Sequence, residues 1–335
     1  MKHRRSIYNI NSKTVNFQRL NNSQSLAGLL HFEFNSFKRV IENASYSEFN
    51  IPKKTGGVRR IESPNEYLSL IQKQLNECLQ AVYYKIKPTH VYGFIQSVKG
   101  EETTCTIISN AQNHIGKDYV LNIDLKDYFH SITATQVRDF FQSSRFNFSE
   151  DLATCIALIC CWKGRLPMGA STSPVLANLL SLKLDEQLIA LASYYNLTYT
   201  RYADDLTFSA NDKISDEVIH KIKALIVGCE FKINKKKVRM QSKFSQQTVT
   251  GIKVNKKLNV DRRYIRNIRA ILHDIKLNGI EKATMKHFKT LLVDEKLINT
   301  FVLKIKGKID FVGQVRGKED LIYTKFRQIF CANYF

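Results

Sequence analysis

"TYTRYADDLTFSA", residues 198–210, sets two carboxylates side by side between two runs of strand-forming residues. Tyr199, Thr200 and Tyr202 lead in, and Leu206, Thr207 and Phe208 lead out, so the stretch predicts a tight β-hairpin with Asp204 and Asp205 at or beside its tip. Two like charges ~4 Å apart repel by roughly 4 kcal/mol at an effective dielectric of about 20. A divalent cation between them reverses that balance. Hard cations such as Mg²⁺ take oxygen ligands, commonly one or two carboxylates with water and substrate phosphates. A third carboxylate is at hand in "DYVLNIDLKDYFHSI", residues 118–132, where a buried strand through Val120, Leu121 and Ile123 delivers Asp124 at its end. Three such groups make a two-metal site for in-line phosphoryl transfer: one ion lowers the pKa of an attacking hydroxyl, the other holds a triphosphate and neutralises the leaving pyrophosphate. Taken alone, a Y-x-D-D also fits an ordinary turn.

The 335 residues carry a net charge of +21, and from Phe231 to Phe335 there are 25 basic and 8 acidic residues, a balance of +17. Such a field suits a module that tracks a phosphate backbone, although a well-solvated basic surface has the same composition. No apolar run reaches the ~20 residues of a membrane span. The basic, then polar, start "MKHRRSIYNINSKTVNFQ" lacks the apolar stretch of a secretory signal, so a cytoplasmic protein with no membrane partner is expected. Seven cysteines, an odd number with no C-x-x-C pair, support neither a zinc site nor a disulfide scaffold.

Periodicity and punctuation predict an α+β body with an appended helical module. Residues 1–50 read as a helical extension. "IPKKTGGVRRIESP", residues 51–64, reads as a hairpin turned at Gly56-Gly57 and studded with Lys53, Lys54, Arg59 and Arg60; a helix follows Pro64. In "GRLPMGASTSPVLANLL", residues 164–180, a loop feeds a helix with Ser173 as N-cap and Pro174 at its first position. In "DRRYIRNIRAILHDIKLNG", residues 261–279, Tyr264, Ile265, Ile268, Ile271, Leu272 and Ile275 share one helical face, while Arg262, Arg266 and Arg269 form another stripe. Asp261 can cap that helix and Asn278-Gly279 can end it.

"NIDLKDYFHSI", "LPMGASTSPVLANLL", "TRYADDLTFSA" and "INKKKVR" occur in the order of the palm motifs of reverse transcriptases, and "TGGVRRIESP" resembles the fingers motif that precedes them. The chain resembles a bacterial reverse transcriptase, and more narrowly a retron reverse transcriptase. The narrower likeness rests on "NAQNH" (Asn110, Ala111, His114), which matches the N-A-x-x-H signature of retron enzymes, and on "VTG" (Val249, Thr250, Gly251). The resemblance implies a right-hand fold, with fingers and palm around an antiparallel sheet and a helical thumb. Its divisions would be an N-terminal extension at 1–50, fingers at 51–123, palm at 124–252 with an interleaved fingers segment at about 135–165, and a basic thumb at 253–335.

The resemblance further implies that Asp124, Asp204 and Asp205 are the catalytic, metal-binding triad for two Mg²⁺ ions, with Mn²⁺ as an alternative. Phe129 matches the steric gate that would exclude a ribonucleotide 2′-hydroxyl and favour dNTPs; an ordinary core phenylalanine is the other reading. Arg59 matches the fingers arginine on the incoming triphosphate, a role suited to a planar donor fork. Lys237 is the choice for the lysine near pyrophosphate, with Lys235 and Lys236 leaving the register open. Gly169 would let backbone approach the nucleotide closely. Met168 stands where glutamine is usual, exchanging an amide hydrogen bond for soft apolar contact. Asn110 and His114 would help to recognise the cognate RNA or shape the surface it lies on, and Val249, Thr250 and Gly251 sit where a primer grip would be.

The implied activity is RNA-directed DNA synthesis on part of the protein's own structured noncoding RNA. Priming from a 2′-hydroxyl would give a branched RNA–DNA product, in antiphage defence beside a separate effector. With the sequence closing on the basic module, RNA removal is expected to fall to a separate RNase H. The alternatives are a group II intron-like or other defence reverse transcriptase, and a non-catalytic RNA-binding scaffold.

Overall fold

The computed structural model describes residues 7–53, 56–98 and 105–332. They fold as two compact units: the segments up to residue 106 together with 121–240 form the first, and 107–120 with 241 onward form the second.

The first unit opens with helices α1 (Ile7–Gln18), α2 (Ser23–Leu29) and α3 (Phe34–Glu42), then a ribbon of β1 (Tyr46–Pro52) and β2 (Val58–Pro64), and the long helix α4 (Glu66–Ile86). The ribbon is antiparallel and turns at Gly56 and Gly57, both at positive φ, where a side chain would be strained. Its first strand starts at Tyr46, ahead of the expected Ile51. Because side chains alternate along a strand, Arg59 and Arg60 leave the ribbon on opposite faces. The Asn65 side chain accepts from Leu68 N at 2.9 Å and so starts α4.

After α5 (Ile107–Gln112), β3 (Tyr119–Lys126) runs into the first unit. Helices α6 (Ala134–Gln142), α7 (Glu150–Cys160), α8 (Ser173–Leu180) and α9 (Leu182–Tyr194) follow, then β4 (Thr198–Tyr202), β5 (Asp205–Ala210), α10 (Asp216–Gly228), β6 (Lys232–Ile233), a 3₁₀ turn over Lys235–Lys237, and β7 (Arg239–Ser242). The sheet order is β4-β5-β3-β6, with β7 also on β3. Leu121, Ile123, Leu125, Leu206 and Phe208 are buried in one core with leucines and isoleucines of α4, α7, α8, α9 and α10. Each such side chain contributes about 1.5–3 kcal/mol on burial, which makes this layer the rigid floor under the carboxylates. Ser173 does not cap α8. Thr172 holds the cap position, and the Ser173 hydroxyl instead donates to Pro167 O at 2.7 Å, tying down the preceding loop.

In the second unit come β8 (Thr248–Val249), β9 (Ile252–Lys253), α11 (Arg262–Phe288), α12 (Glu295–Arg316) and α13 (Leu321–Ala332). Asp261 caps α11, and Gly279, at φ 78°, breaks it into two helical lengths. The expected stop is thus a kink. Ile265, Ile268, Leu272 and Ile275 pack in the core, with Tyr264 and Ile271 at its margin. Among the described residues, no helix is long and apolar enough to cross a membrane.

Candidate active site

Strands β4 and β5 pair so that Tyr202 faces Asp205, which leaves Ala203 and Asp204 as a two-residue turn. Leu125 N donates to Asp204 O at 2.9 Å, and this bond sets Asp124 beside that turn. Asp124 is buried, Asp204 half-buried, and Asp205 exposed. Burial, then the charge on Asp124, raises the Asp204 carboxyl above its ordinary value. Asp205 is pushed up to about 6 by desolvation first, and then by Asp204 and Asp124. Asp124 accepts from Lys237 Nζ at 2.7 Å and from Asn234 Nδ2 at 2.9 Å. Of the three consecutive lysines, Lys237 is the one on the cluster.

Two carboxylates held above their ordinary range by burial first, and then by the charge of Asp124 and, for Asp205, of Asp204, are a donor set that a hard divalent cation would relieve. The residues fit such an ion by chemistry. As they stand, no three His, Cys, Asp or Glu side chains among the described residues are gathered into a finished cage. The Asp124 oxygens are engaged by Lys237 and Asn234, so a cation would take over contacts that those two side chains now make.

The other expected residues of the site also fall in the first unit. Arg59 is exposed, and its charge acts on Asp204, opposing the rise. Arg60 pairs with Glu48, which also accepts from Lys163 Nζ at 2.7 Å. Lys53 is exposed, and Lys54 lies outside the described residues. Phe129 is half-buried, its ring 5.7 Å from both Phe94 and Tyr128. Gly169 abuts β2 so closely that a Cβ there would fall 2.4 Å from Glu62 O. Glu62 N donates to Met168 O at 2.9 Å. The glycine is therefore required by packing against the ribbon, besides any approach to a nucleotide.

Sequence reasoning passed over two buried ionic groups. Glu62 accepts a bidentate pair from Arg165 at 2.9 and 2.8 Å, which, as the largest influence, holds its carboxyl down at about 2. His130 Nε2 lies 3.2 Å from the same carboxylate. Arg201, fully buried, donates from Nε and Nη2 to Asp185 at 2.8 and 2.6 Å; its Nη1 serves Tyr128 Oη, Asn178 Oδ1 and Ala203 O at 2.8, 2.9 and 3.1 Å. The signal was present: in a strand, Tyr199 and Arg201 share a face, and a charge on an inward face demands a partner.

The expected RNA-binding residues all belong to the second unit. Arg262, Arg266 and Arg269 are exposed, and the latter two line an open groove with His273 and Lys286, which the sequence reading did not single out. Asn110 and His114 are buried. Among the described residues, neither amide atom of Asn110 has a hydrogen-bond partner. Desolvation lowers the His114 imidazole to about 3. Thr250 and Gly251 form the β8–β9 turn at positive φ, and the Thr250 hydroxyl donates to Ile107 O at 2.9 Å. Distant in sequence, the two short signatures are neighbours in this unit.

Residues 51–301 match the reverse transcriptase (RNA-dependent DNA polymerase) family, and the chain belongs to it. Within that family it is a bacterial retron reverse transcriptase. It is 31% identical to the retron Mx65 reverse transcriptase of Myxococcus xanthus over 296 residues, covering 82% of this chain and 66% of that one. It is 39% identical to the retron Ec86 reverse transcriptase of Escherichia coli over 217 residues, covering 62% and 67%. The chain thus spans about two thirds of the length of these relatives. Membership of the family implies dependence on a divalent metal.

Proposed function

We propose that the protein is an RNA-directed DNA polymerase that copies part of its cognate structured noncoding RNA into single-stranded DNA. The observation that carries this reading is the convergence of Asp124, Asp204 and Asp205, with Lys237 upon them, inside the segment that matches the family. The three aspartates would hold a pair of Mg²⁺ ions, or Mn²⁺ in their place. When bound, such ions lower the pKa of the attacking hydroxyl and neutralise charge on the leaving pyrophosphate.

The chain's own residues do the rest. Arg59, on the opposite face of the ribbon from the paired Arg60, orients the incoming triphosphate. Lys237 has an ammonium to offer the pyrophosphate once a cation satisfies Asp124. Phe129, braced by Phe94 and Tyr128, closes the space a ribose 2′-hydroxyl would need. Met168 gives apolar contact. Arg262, Arg266 and Arg269 hold nucleic-acid phosphates, and the surface built on Asn110, His114, Val249, Thr250 and Gly251 recognises the cognate RNA. Priming from an RNA 2′-hydroxyl, a branched product, action in bacterial antiphage defence with a separate effector, and RNA removal by a separate RNase H complete the reading, with the cytoplasm as its site.

The test incubates purified protein with the noncoding RNA flanking its gene, Mg²⁺ and dNTPs. Branched DNA is expected, and Asp204→Asn should make none. RNA bound tightly with no dNTP incorporated would instead mark a scaffold.

A further inference from the structure

We infer that the buried Arg201–Asp185 pair is a positioning device that fixes the aspartate turn and the Phe129 segment relative to each other. This rests on the polymerase reading above.

Ala203 occupies the first turn position at φ 57°, a conformation that ordinarily favours glycine. Something must therefore hold the turn in place. Two contacts do so. Arg201 Nη1 donates to Ala203 O at 3.1 Å, and Gly93 packs against the turn so closely that a Cβ there would lie 2.3 Å from Ala203 N. The same Nη1 donates to the hydroxyl of Tyr128, the residue before Phe129. Asp185 on α9 fixes the guanidinium by a bidentate contact and also accepts from Tyr199 Oη at 2.9 Å. Asn178 on α8 accepts from Arg201 and donates from Nδ2 to Gly93 O at 2.9 Å, closing the circuit. One planar cation thus joins two helices, the carboxylate turn and the gate segment. A lysine ammonium cannot reproduce that fork.

The experiment measures single-turnover incorporation of dTTP on oligo(dT)-primed poly(rA) with Mg²⁺, discrimination between dTTP and UTP, and affinity for the primed template. For folded Arg201→Lys the incorporation rate should fall by about 100-fold, discrimination should weaken, and template affinity should hold. Should Arg201→Lys fail to fold, the double variant Arg201→Met with Asp185→Leu replaces the pair by apolar groups of similar volume, an exchange that buried pairs commonly tolerate. The same two losses are expected of it. Wild-type rate and discrimination in either folded variant would overturn the inference. A wild-type protein that incorporates nothing would overturn the polymerase reading instead.

Discussion

Lys237 Nζ sits 2.7 Å from Asp124 Oδ2 and is the one ammonium bonded to the acidic cluster among the described residues. It opposes the rise of both neighbouring carboxyls. Lys237→Ala should therefore move the Asp205 titration above its value of about 6 in metal-free protein, followed by carboxyl-carbon NMR. A midpoint that stays put would mean that burial and the neighbouring carboxylates set it without Lys237.

Asp205 bears on stability with a definite sign. Its folded value lies above the unfolded one, so its favourable contribution is present below about 3.8 and is lost as pH rises through about 6. Asp205→Asn should raise Tm at pH 7.5 and change it little at pH 4, while incorporation drops by at least about 100-fold. Mg²⁺ should raise the wild-type Tm more than that of the variant, as selective binding to the folded state requires. Calorimetry across pH, with and without Mg²⁺, checks the Tm changes, and a single-turnover assay checks the incorporation.

His114 titrates in the opposite sense. Its imidazole is held neutral by burial, down to about 3. The unfolded chain takes up the proton first, so stability falls as pH drops from about 6.5 toward 3, by an amount on the order of 4 kcal/mol. His114→Gln should flatten that slope between pH 6.5 and 4 in urea denaturation.

Gly93→Ala would drive a methyl group to within 2.3 Å of Ala203 N, backbone that cannot swing aside. The expected cost is about 1–3 kcal/mol of stability, with a loss of incorporation larger than the unfolded fraction explains. Denaturation and single-turnover assays on one preparation separate the two effects.

Thr250→Val deletes the hydroxyl that donates to Ile107 O while keeping the shape. The loss should be about 1 kcal/mol of stability, with affinity for the cognate RNA falling more than affinity for an unrelated RNA. Equal losses for both RNAs would argue against a recognition surface there.

Much of this site was legible in the chain because its signals are local. The alternation in "TYTRYADDLTFSA" and the turn between its halves gave the hairpin, and the apolar run before Asp124 gave the adjoining strand. Glu62 and Asp185 were not legible. Each looks like a surface acid until a partner from another element arrives: Arg165, 103 positions from Glu62, or Arg201, 16 from Asp185. The membership of residues 107–120 in the second unit, within a stretch expected to belong wholly to the fingers, is likewise set by contacts with a segment more than 100 residues away. Ser173 shows the limit of capping rules: its hydroxyl donates to Pro167 O instead of accepting from an N–H at the start of a helix.

The bond from Thr250 to the carbonyl of Ile107 also has a practical meaning for anyone wishing to retarget such an enzyme to a different transcript. On the function proposed above, the address label is written in two places along the gene yet assembled as one object. Transplanting the C-terminal portion of a relative would leave the recipient's own short helix beneath a foreign turn, so a working graft has to carry both pieces together.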